Sequence, residues 1–588
     1  MKKTDSMSSK LFFKLLPVQI MIVAMGSINS IVDGVIAGRF IDATTVGVIG
    51  LFFAMVNAIS AIGSVLLGGS SVISGRYMGS GDLEKTRGIF SLNVTLTASI
   101  GLILSIIGLL FPGMVADLCG ADEELRGALM LYVMGYSIGI LPQMMAQQLG
   151  AFLQMERQSR RNYAGVAAMI IFNIILNITL VTVFNLGIFG LALSTAICNW
   201  IYFIILVSYY FTDKAQLKYD FKLVLWGDTF NLIKIGFPGA LLVFCLSFRE
   251  LALNRIILGC AGQDGLSAKS SLGMVGGLFI ALCLGSGSVI RMLASVYVGE
   301  EDKDSIRELI KISLTKAMLL AVIIAAVVVA ISGPAVSVFF SDTSSNVYKL
   351  AHQYFIMYGI SIPLILIVQI ETNYLQAMGH NICVNIFSVI DGFISVVIPS
   401  MILAPILGAF GVWLATPIGI IISAVVYPIY AIIYWKRIPK NKDEWLLFEK
   451  DFGVADEERL VMNIANVEDV TNTAICVQEF CNKRGIESKK AYFSALCLEE
   501  MTRNVVEHGF TQDSNKHFLD ARIVCKENEV VLRIKDDCTP FDPVDMAEHM
   551  NSEDVTKNIG IRLVKKLADS INYQNMLGLN VLTVILKN

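Results

Sequence analysis

The sequence predicts an all-α polytopic membrane domain of twelve helices, built as two six-helix repeats, followed by a C-terminal α+β domain. The 588 residues are 55% hydrophobic with a mean hydropathy of +0.65, which is too apolar for a soluble protein. Charge is uneven, because 41 charged residues fall in the last 144 positions and 54 in the preceding 444. An offset of 221 positions places Pro17 on Pro238, Asp33 on Asn254 and Gly38 on Gly259. Such coincidences indicate a duplicated membrane domain.

Apolar runs of spanning length define the helices. In the first repeat, about 11–211, they fall at 11–38, 46–75, 88–111, 128–153, 163–184 and 189–211. In the second, about 231–435, they fall at 231–258, 268–297, 310–332, 349–377, 381–403 and 409–435. We expect a membrane domain over residues 1–437, a linker over 438–444 and a soluble domain over 445–588.

Basic residues are concentrated in alternate short connections, which predicts a multi-pass plasma-membrane protein with both termini in the cytoplasm. The apolar run after the short basic N-terminus is too long for a cleaved signal peptide. Eleven cysteines lie without a CxxC pair or a zinc-like spacing, so we expect reduced structural thiols.

The first span carries a carboxylate, Asp33. A charge inside a membrane helix costs about 2.5–3.5 kcal/mol on insertion scales, so it usually has a function. Two polar pairs at i,i+4 share helix faces, Asn173 with Asn177 and Thr195 with Asn199. Their oxygens beside Asp33 suit a coupling ion, either H⁺ or Na⁺. The alternatives are a shallow, hydrated Asp33 and asparagines that only join neighbouring helices.

Other polar or adaptable side chains also lie within spans. Met21 and Met25 precede Asp33 at four-residue steps and are candidates for a cavity lining, although membrane methionines are commonly packing residues. The second repeat carries Arg249, Glu250, Glu371 and Asp391. For Arg249, an interhelical bridge to Glu371 and a contact with substrate both remain open.

Several of these features together resemble the multidrug and toxic compound extrusion (MATE) transporters. They are Pro17 with VDGVIAGR (32–39), GRYMGSGDLEKTR (75–87) and the twelve-helix duplication. The resemblance implies an antiporter that exports amphipathic, often cationic compounds in exchange for H⁺ or Na⁺ by rocking two lobes. It also implies a first-lobe ion site at Asp33, Asn173 and Asn177. A sodium site that some relatives carry in the second lobe is not expected, because Leu246 and Ile365 stand at its positions.

In the C-terminal part the hydrophobic residues recur with a different pattern. The pattern predicts, in order, a strand, two amphipathic helices, a hairpin, a helix and two strands. This order predicts an antiparallel sheet with helices on one face. Its motifs LEEMTRNVVEHGF, DDCTPFDP and NIGIRLVKKLAD resemble the ATP-binding fold of anti-sigma factor serine kinases and histidine kinases. The resemblance implies Glu500 as general base, Asn504 as Mg²⁺ ligand, Asp536 at the adenine amino group and Gly560 at the phosphates of Mg·ATP. Cys538 and Asn558 stand where that family has glycine.

Two functions follow from these features. The first is an ion-coupled exporter with a cytoplasmic nucleotide-binding regulatory domain. The second is a membrane sensor whose C-terminal domain acts as a serine kinase or docking module toward a regulatory protein partner, so enzymatic activity stays open. Small molecules and the lipid bilayer are the expected partners, and nucleic acid is not. Because residues 445–588 hold 24 acidic and 17 basic residues, we expect them to dock on a basic face formed by Lys214, Lys218, Lys222 and Arg307.

Overall fold

The computed structural model describes residues 7–41, 43–121, 123–450, 452–511, 517–526, 529–543 and 559–587. Within these ranges, eleven helices are long and apolar enough to cross a membrane, and twelve if a bent pair counts as one span. The predicted twelve-helix membrane fold is therefore confirmed.

The membrane helices form two lobes. The first lobe contains α1 (Met7–Ile36), α2 (Ala43–Ser80), α3 (Leu83–Leu110), α4 (Pro112–Leu118), α5 (Glu123–Ser137), α6 (Ile140–Met155), α7 (Ser159–Ile178) and α8 (Gly187–Val207). The second contains α9 (Thr229–Phe279), α10 (Ala281–Gly299), α11 (Lys303–Ile312), α12 (Met318–Ala330), α13 (Ser332–Ser337), α14 (Asn346–Met378), α15 (Asn381–Val389), α16 (Ser395–Leu407) and α17 (Ala409–Trp435). Short π-helical turns extend or join several of them, as at Ile390–Ile394 between α15 and α16.

The fourth span differs from its prediction as one straight helix over 128–153. It breaks between α5 and α6 with a bend of 45°. Gly139 lies at the break, where a Cβ atom would stand 2.6 Å from the Cα of Ala196 in α8. The bend therefore depends on a residue without a side chain. A second glycine, Gly262 (φ 60°), turns the chain inside α9, between the predicted seventh and eighth spans.

The lobes meet through glycines. A Cβ at Gly79 would lie 2.1 Å from the carbonyl oxygen of Val296, and one at Gly299 would lie 2.1 Å from that of Arg76. Deeper along α2, a Cβ at Gly69 would lie 2.0 Å from the oxygen of Leu232. The backbones of α2, α9 and α10 thus touch directly, and the lobes are closed on this side.

The C-terminal domain follows a four-residue helix, α18 (Lys442–Trp445). It contains α19 (Val467–Lys483), α20 (Ser488–Asn504), α21 (Ile559–Leu567) and strands β1 (Arg459–Ile464), β2 (Leu519–Cys525), β3 (Glu529–Asp536), β4 (Ser570–Met576) and β5 (Leu579–Lys587). The strands form one antiparallel sheet in the order β1-β2-β3-β5-β4. The predicted α+β fold is confirmed.

The two faces of this sheet have different partners. Ile523, Leu532 and Val584 face the domain's own helices and form its core. The alternate residues, including Arg522, Lys535 and Val581, are buried on the opposite face, and Val581 joins the hydrophobic cluster of the membrane lobes. The domain is therefore seated on the lobes, at the side where they are closed.

Candidate functional sites

Asp33 lies among neutral hydrogen-bond donors. Its Oδ1 accepts from Asn177 Nδ2 at 2.7 Å and from Asn173 Nδ2 at 3.5 Å, while its Oδ2 accepts from Thr195 Oγ1 at 3.3 Å. No basic residue in the described ranges forms an ion pair with Asp33. The three hydrogen bonds therefore stabilise the carboxylate, and no fixed counterion in these ranges neutralises its charge.

Three helices hold this group. The i,i+4 spacing on α7 places Asn173 and Asn177 one turn apart, and Asn177 Nδ2 also donates to Asn173 Oδ1 at 3.2 Å. Ser194 of α8 donates to Asn177 Oδ1. That bond fixes the amide with its NH₂ group toward Asp33, so Ser194 is a site residue that the sequence analysis missed.

Not every predicted neighbour joins Asp33. Asn199 is buried beside Gly139 at the bend of the fourth span and makes no hydrogen bond with Asp33. Met21 and Met25 pack against the main hydrophobic cluster of the lobes.

The second lobe forms a different arrangement at the equivalent place. Asn254, the counterpart of Asp33, accepts from Lys269 Nζ at 2.6 Å, and Lys269 also pairs with Glu250 at 2.5 Å. An ammonium group of the chain itself therefore stands beside the counterpart of the first-lobe acid.

Arg249 does not form the bridge to Glu371. Its Nη1 donates to the backbone oxygen of Asp391 at 3.3 Å, and its Nε is buried without an acceptor in the described chain. The Oε2 of Glu371 is likewise buried without a donor there.

A pocket of about 360 Å³ opens in the C-terminal domain, within the size range of small-molecule sites. Asn504 and Asp536 both line it, as predicted for a nucleotide site. Asp536 Oδ1 accepts from Asn580 Nδ2 at 2.7 Å and from the Cys538 backbone at 3.0 Å. Burial raises the pKa of Asp536, and these two bonds oppose the rise.

Gly560, which the family resemblance placed at the phosphates of Mg·ATP, lies beside Glu500 in the structure. It lies in the first turn of α21, where a Cβ atom would meet Glu500 Oε2 at 2.2 Å. The glycine thus makes room for the Glu500 carboxylate, which lies near the helix N-terminus, where negative charge is favoured. Asn558 lies outside the described residues.

Cys538 is buried in the wall of the pocket. Its Sγ would lie 3.0 Å from a Cβ at Gly509, so the thiol occupies space that this glycine leaves. Asp537, between the two pocket residues, turns the other way and pairs with Lys10 of α1 at 2.5 Å. Burial alone would raise the pKa of Asp537, but bonds from Lys10, Phe518 and His517 hold it below its ordinary value.

The C-terminal domain contacts both lobes. On the second lobe, Lys535 pairs with Glu300 at 2.5 Å, Arg522 with Asp302 at 3.0 Å and Arg459 with Asp304 at 2.7 Å. On the first lobe, the backbone oxygen of Cys538 accepts from Arg157 at 2.9 Å, that of Met155 accepts from the Leu577 amide at 2.7 Å, and that of Gly81 accepts from Asn572 at 2.7 Å.

These contacts correct the expected charge pattern. The second lobe supplies acids and the domain supplies bases, the reverse of an acidic domain on a basic face. Of the four basic residues expected there, Arg307 pairs with Asp443 of the linker region at 2.5 Å and Lys218 pairs with Asp213. The net charge did not predict the interface, because the docked face of the sheet is richer in bases than the domain as a whole.

Fold and site together define the class: a two-lobed multi-pass membrane transporter with an ATPase-like domain on one face. The MatE family model matches residues 19–179 and 238–402, more than half of the chain, and the histidine kinase-like ATPase domain model matches 464–586. The chain belongs to the MATE family, and its C-terminal domain is a histidine kinase-like ATPase domain.

Relatives cover the membrane part. Multidrug export protein MepA of Staphylococcus saprophyticus is 22% identical over 445 residues, which cover 72% of this chain and 94% of its own. Probable multidrug resistance protein YoeA of Bacillus subtilis is 21% identical over 428 residues, 70% of this chain and 90% of its own. A multidrug resistance MATE family transporter solved in an outward-facing conformation aligns with a TM-score of 0.67 at 17% identity, over 75% of this chain and all of its own.

Proposed function

We propose that the protein is a multidrug efflux transporter that exports amphipathic compounds in exchange for H⁺ or Na⁺ bound at Asp33. The observation that carries this proposal is the Asp33 carboxylate held by Asn173, Asn177 and Thr195, with no basic partner among the residues that the structure describes. A carboxylate in this setting accepts and releases a cation, whereas a salt-bridged one is neutralised permanently. The relatives MepA, a multidrug export protein, and YoeA, a probable multidrug resistance protein, support export of drugs.

Transport by Asp33→Asn in proteoliposomes tests the coupling. The amide keeps the side-chain volume but cannot exchange a proton, so we expect gradient-driven efflux of a fluorescent dye to stop in a folded protein. Separately imposed H⁺ and Na⁺ gradients identify the ion. Asp117→Asn is the matched control, because Asp117 is exposed and pairs with Arg126 outside the site. Undiminished gradient-driven efflux by Asp33→Asn would contradict the mechanism.

We further propose that the C-terminal domain binds Mg·ATP on the cytoplasmic side and thereby regulates the lobes. The tripeptide 536–538 supports this, since Asp536 faces the pocket while Asp537 and Cys538 bond to Lys10 and Arg157 of the first lobe. A nucleotide that shifts this tripeptide changes those two contacts. Regulation then follows only if the domain binds one arrangement of the lobes more tightly than the other.

Nucleotide binding to the full chain is measured by calorimetry. We expect Mg·ATP to bind wild type, to fail with Asn504→Ala, and to bind Asp537→Asn normally while no longer changing its transport rate. Absence of binding to wild type would leave the domain as a protein-docking module. Glu500 lies one turn from Asn504 on α20, which favours a phosphotransfer role as the second candidate. Transfer of the γ-phosphate to a serine of a partner protein, lost in Glu500→Ala, would establish it.

A further inference from the structure

A second cavity, of about 260 Å³, lies between α2 of the first lobe and five elements of the second lobe, namely α9, α10, α14, α15 and the π-helical turn at Ile390–Ile394. Apolar residues such as Leu67, Leu242 and Phe387 line much of it, and Arg291 of α10 and Asp391 contribute charged groups. Because both lobes line this space, it is where a transported molecule would contact both. Asp33 does not line it.

Arg291 differs from the other half-buried basic residues in the helices that line the cavity. Lys269 pairs with the Glu250 carboxylate at 2.5 Å, and Arg249 donates to the Asp391 backbone oxygen at 3.3 Å. Arg76 donates to the Ala377 backbone oxygen at 2.6 Å, in the last turn of α14, where the helix dipole favours positive charge. Arg291 has none of these compensations: across the described chain, no carboxylate forms an ion pair with it.

The acceptors of Arg291 are neutral amide oxygens. Its Nη1 donates to Asn373 Oδ1 at 3.2 Å and to Gln376 Oε1 at 3.5 Å. A second hydrogen bond fixes the orientation of each amide. Asn373 Nδ2 donates to the backbone oxygen of Gln369 at 2.9 Å, and Gln376 Nε2 donates to that of Ile235 at 2.9 Å. The guanidinium is therefore held in place with its charge intact, and its side chain remains partly accessible to the cavity.

We propose that Arg291 binds an anionic group, carboxylate or sulfonate, of the transported compound. A guanidinium presents paired N–H donors that match such groups, and a desolvated cation without a fixed counterion gains most from one. The apolar wall accommodates the rest of an amphipathic molecule. Asp391 does not reverse this preference, because Arg249 donates to its backbone oxygen at 3.3 Å and brings a positive charge to the same residue. The inference rests on the proposed export function and narrows its substrate class toward organic acids, away from the cationic compounds that the family resemblance implied.

Three probes with one apolar body test the charge preference: 2-naphthoate, 2-naphthamide and 2-naphthylmethylammonium. Calorimetry on the purified full chain should show naphthoate binding at least tenfold more tightly than the ammonium compound. Arg291→Gln should weaken naphthoate at least tenfold and leave naphthamide unchanged, and Arg291→Lys should retain part of the preference. Arg255→Gln is the matched control, because Arg255 lies exposed on the same lobe.

Melting temperature and gel filtration identify variants that fail to fold. If Arg291→Gln fails to fold, Arg291→Lys is compared with wild type instead. Equal binding of the acid and the cation by wild type, or full naphthoate affinity in folded Arg291 variants, would overturn the proposal, as would absence of naphthoate binding. Failure of the Arg291 proposal is distinguished from failure of ion coupling by measuring naphthoate exchange across the vesicle membrane without an ion gradient. This exchange needs the Arg291 site but not the coupling ion.

Discussion

The buried pair of Lys535 and Glu300 gives a sharp test of how the C-terminal domain is held. Both side chains are almost sealed from water, at 7% and 2% exposure, and their atoms are 2.5 Å apart. In Glu300→Gln the Lys535 ammonium keeps its charge but loses the carboxylate with which it forms its ion pair. Removing one member of a buried pair costs about 3–5 kcal/mol, which corresponds to a factor of about 10² to 4 × 10³ in an equilibrium constant. Because undocking returns Lys535 to water, the loss should appear in docking rather than in the domain's own stability.

Hydrogen exchange at Leu577 reports this docking. The Leu577 amide donates to Met155 O of the first lobe, far in the chain from the altered pair, so its protection requires the whole domain to be seated. We expect exchange at Leu577 to accelerate at least about a hundredfold in Glu300→Gln, in line with the estimated cost of the broken pair. Glu301→Gln, one residue away and exposed, should leave it unchanged.

Combining Glu300→Gln with Lys535→Met should restore much of the protection, because no charge then stays buried without a partner. Unchanged exchange at Leu577 in folded Glu300→Gln would refute the assignment of this pair as the main ionic attachment to the second lobe.

Three further outcomes are expected. Arg249→Ala should lower the melting temperature by an amount equivalent to about 1–3 kcal/mol, since it removes the donor to the Asp391 backbone oxygen; a normal melting temperature with altered substrate range would show a cargo contact instead. Docking should strengthen as pH falls from 7 to 5. Burial raises the pKa of Asp520 to about 6 in the docked domain, where Lys535, Asp302, Arg522 and Glu300 are its charged neighbours. The docked domain therefore binds a proton that the released domain does not. Leu577 exchange, corrected for its intrinsic pH dependence, should follow this, and Asp520→Asn should abolish the trend. Cys538→Gly should strengthen Mg·ATP binding several-fold in calorimetry by clearing the pocket wall; equal affinity would show that the thiol does not obstruct it.

Local patterns in the sequence identified the centre of the first-lobe site. A carboxylate in an apolar run and two asparagines one turn apart are visible without a structure, and Asp33, Asn173 and Asn177 meet in space. Ser194 carries no such signal, since a single hydroxyl on an apolar helix is common. Its bond to Asn177 depends on how α7 and α8 pack against each other.

The docking surface was misjudged for a related reason. Net charge describes a whole domain, whereas a sheet presents two faces that alternate residue by residue. On β2, Arg522 stands between Ala521 and Ile523, and on β3, Lys535 follows Ile534. The alternation shows in the sequence that these bases share one face of the sheet. The sequence does not show what this face contacts, because the acids that meet it belong to a loop more than 200 positions earlier.

The glycine contacts between α2, α9 and α10 have a consequence for leakage. Where Gly79 meets Val296 and Gly299 meets Arg76, backbone lies on backbone with no intervening side chains. A layer of side chains can change rotamers and admit a file of water molecules, but two touching backbones cannot part locally without moving their helices. In this arrangement the lobes act as a watertight seal, so a proton or sodium ion crosses at this level only when the helices themselves separate.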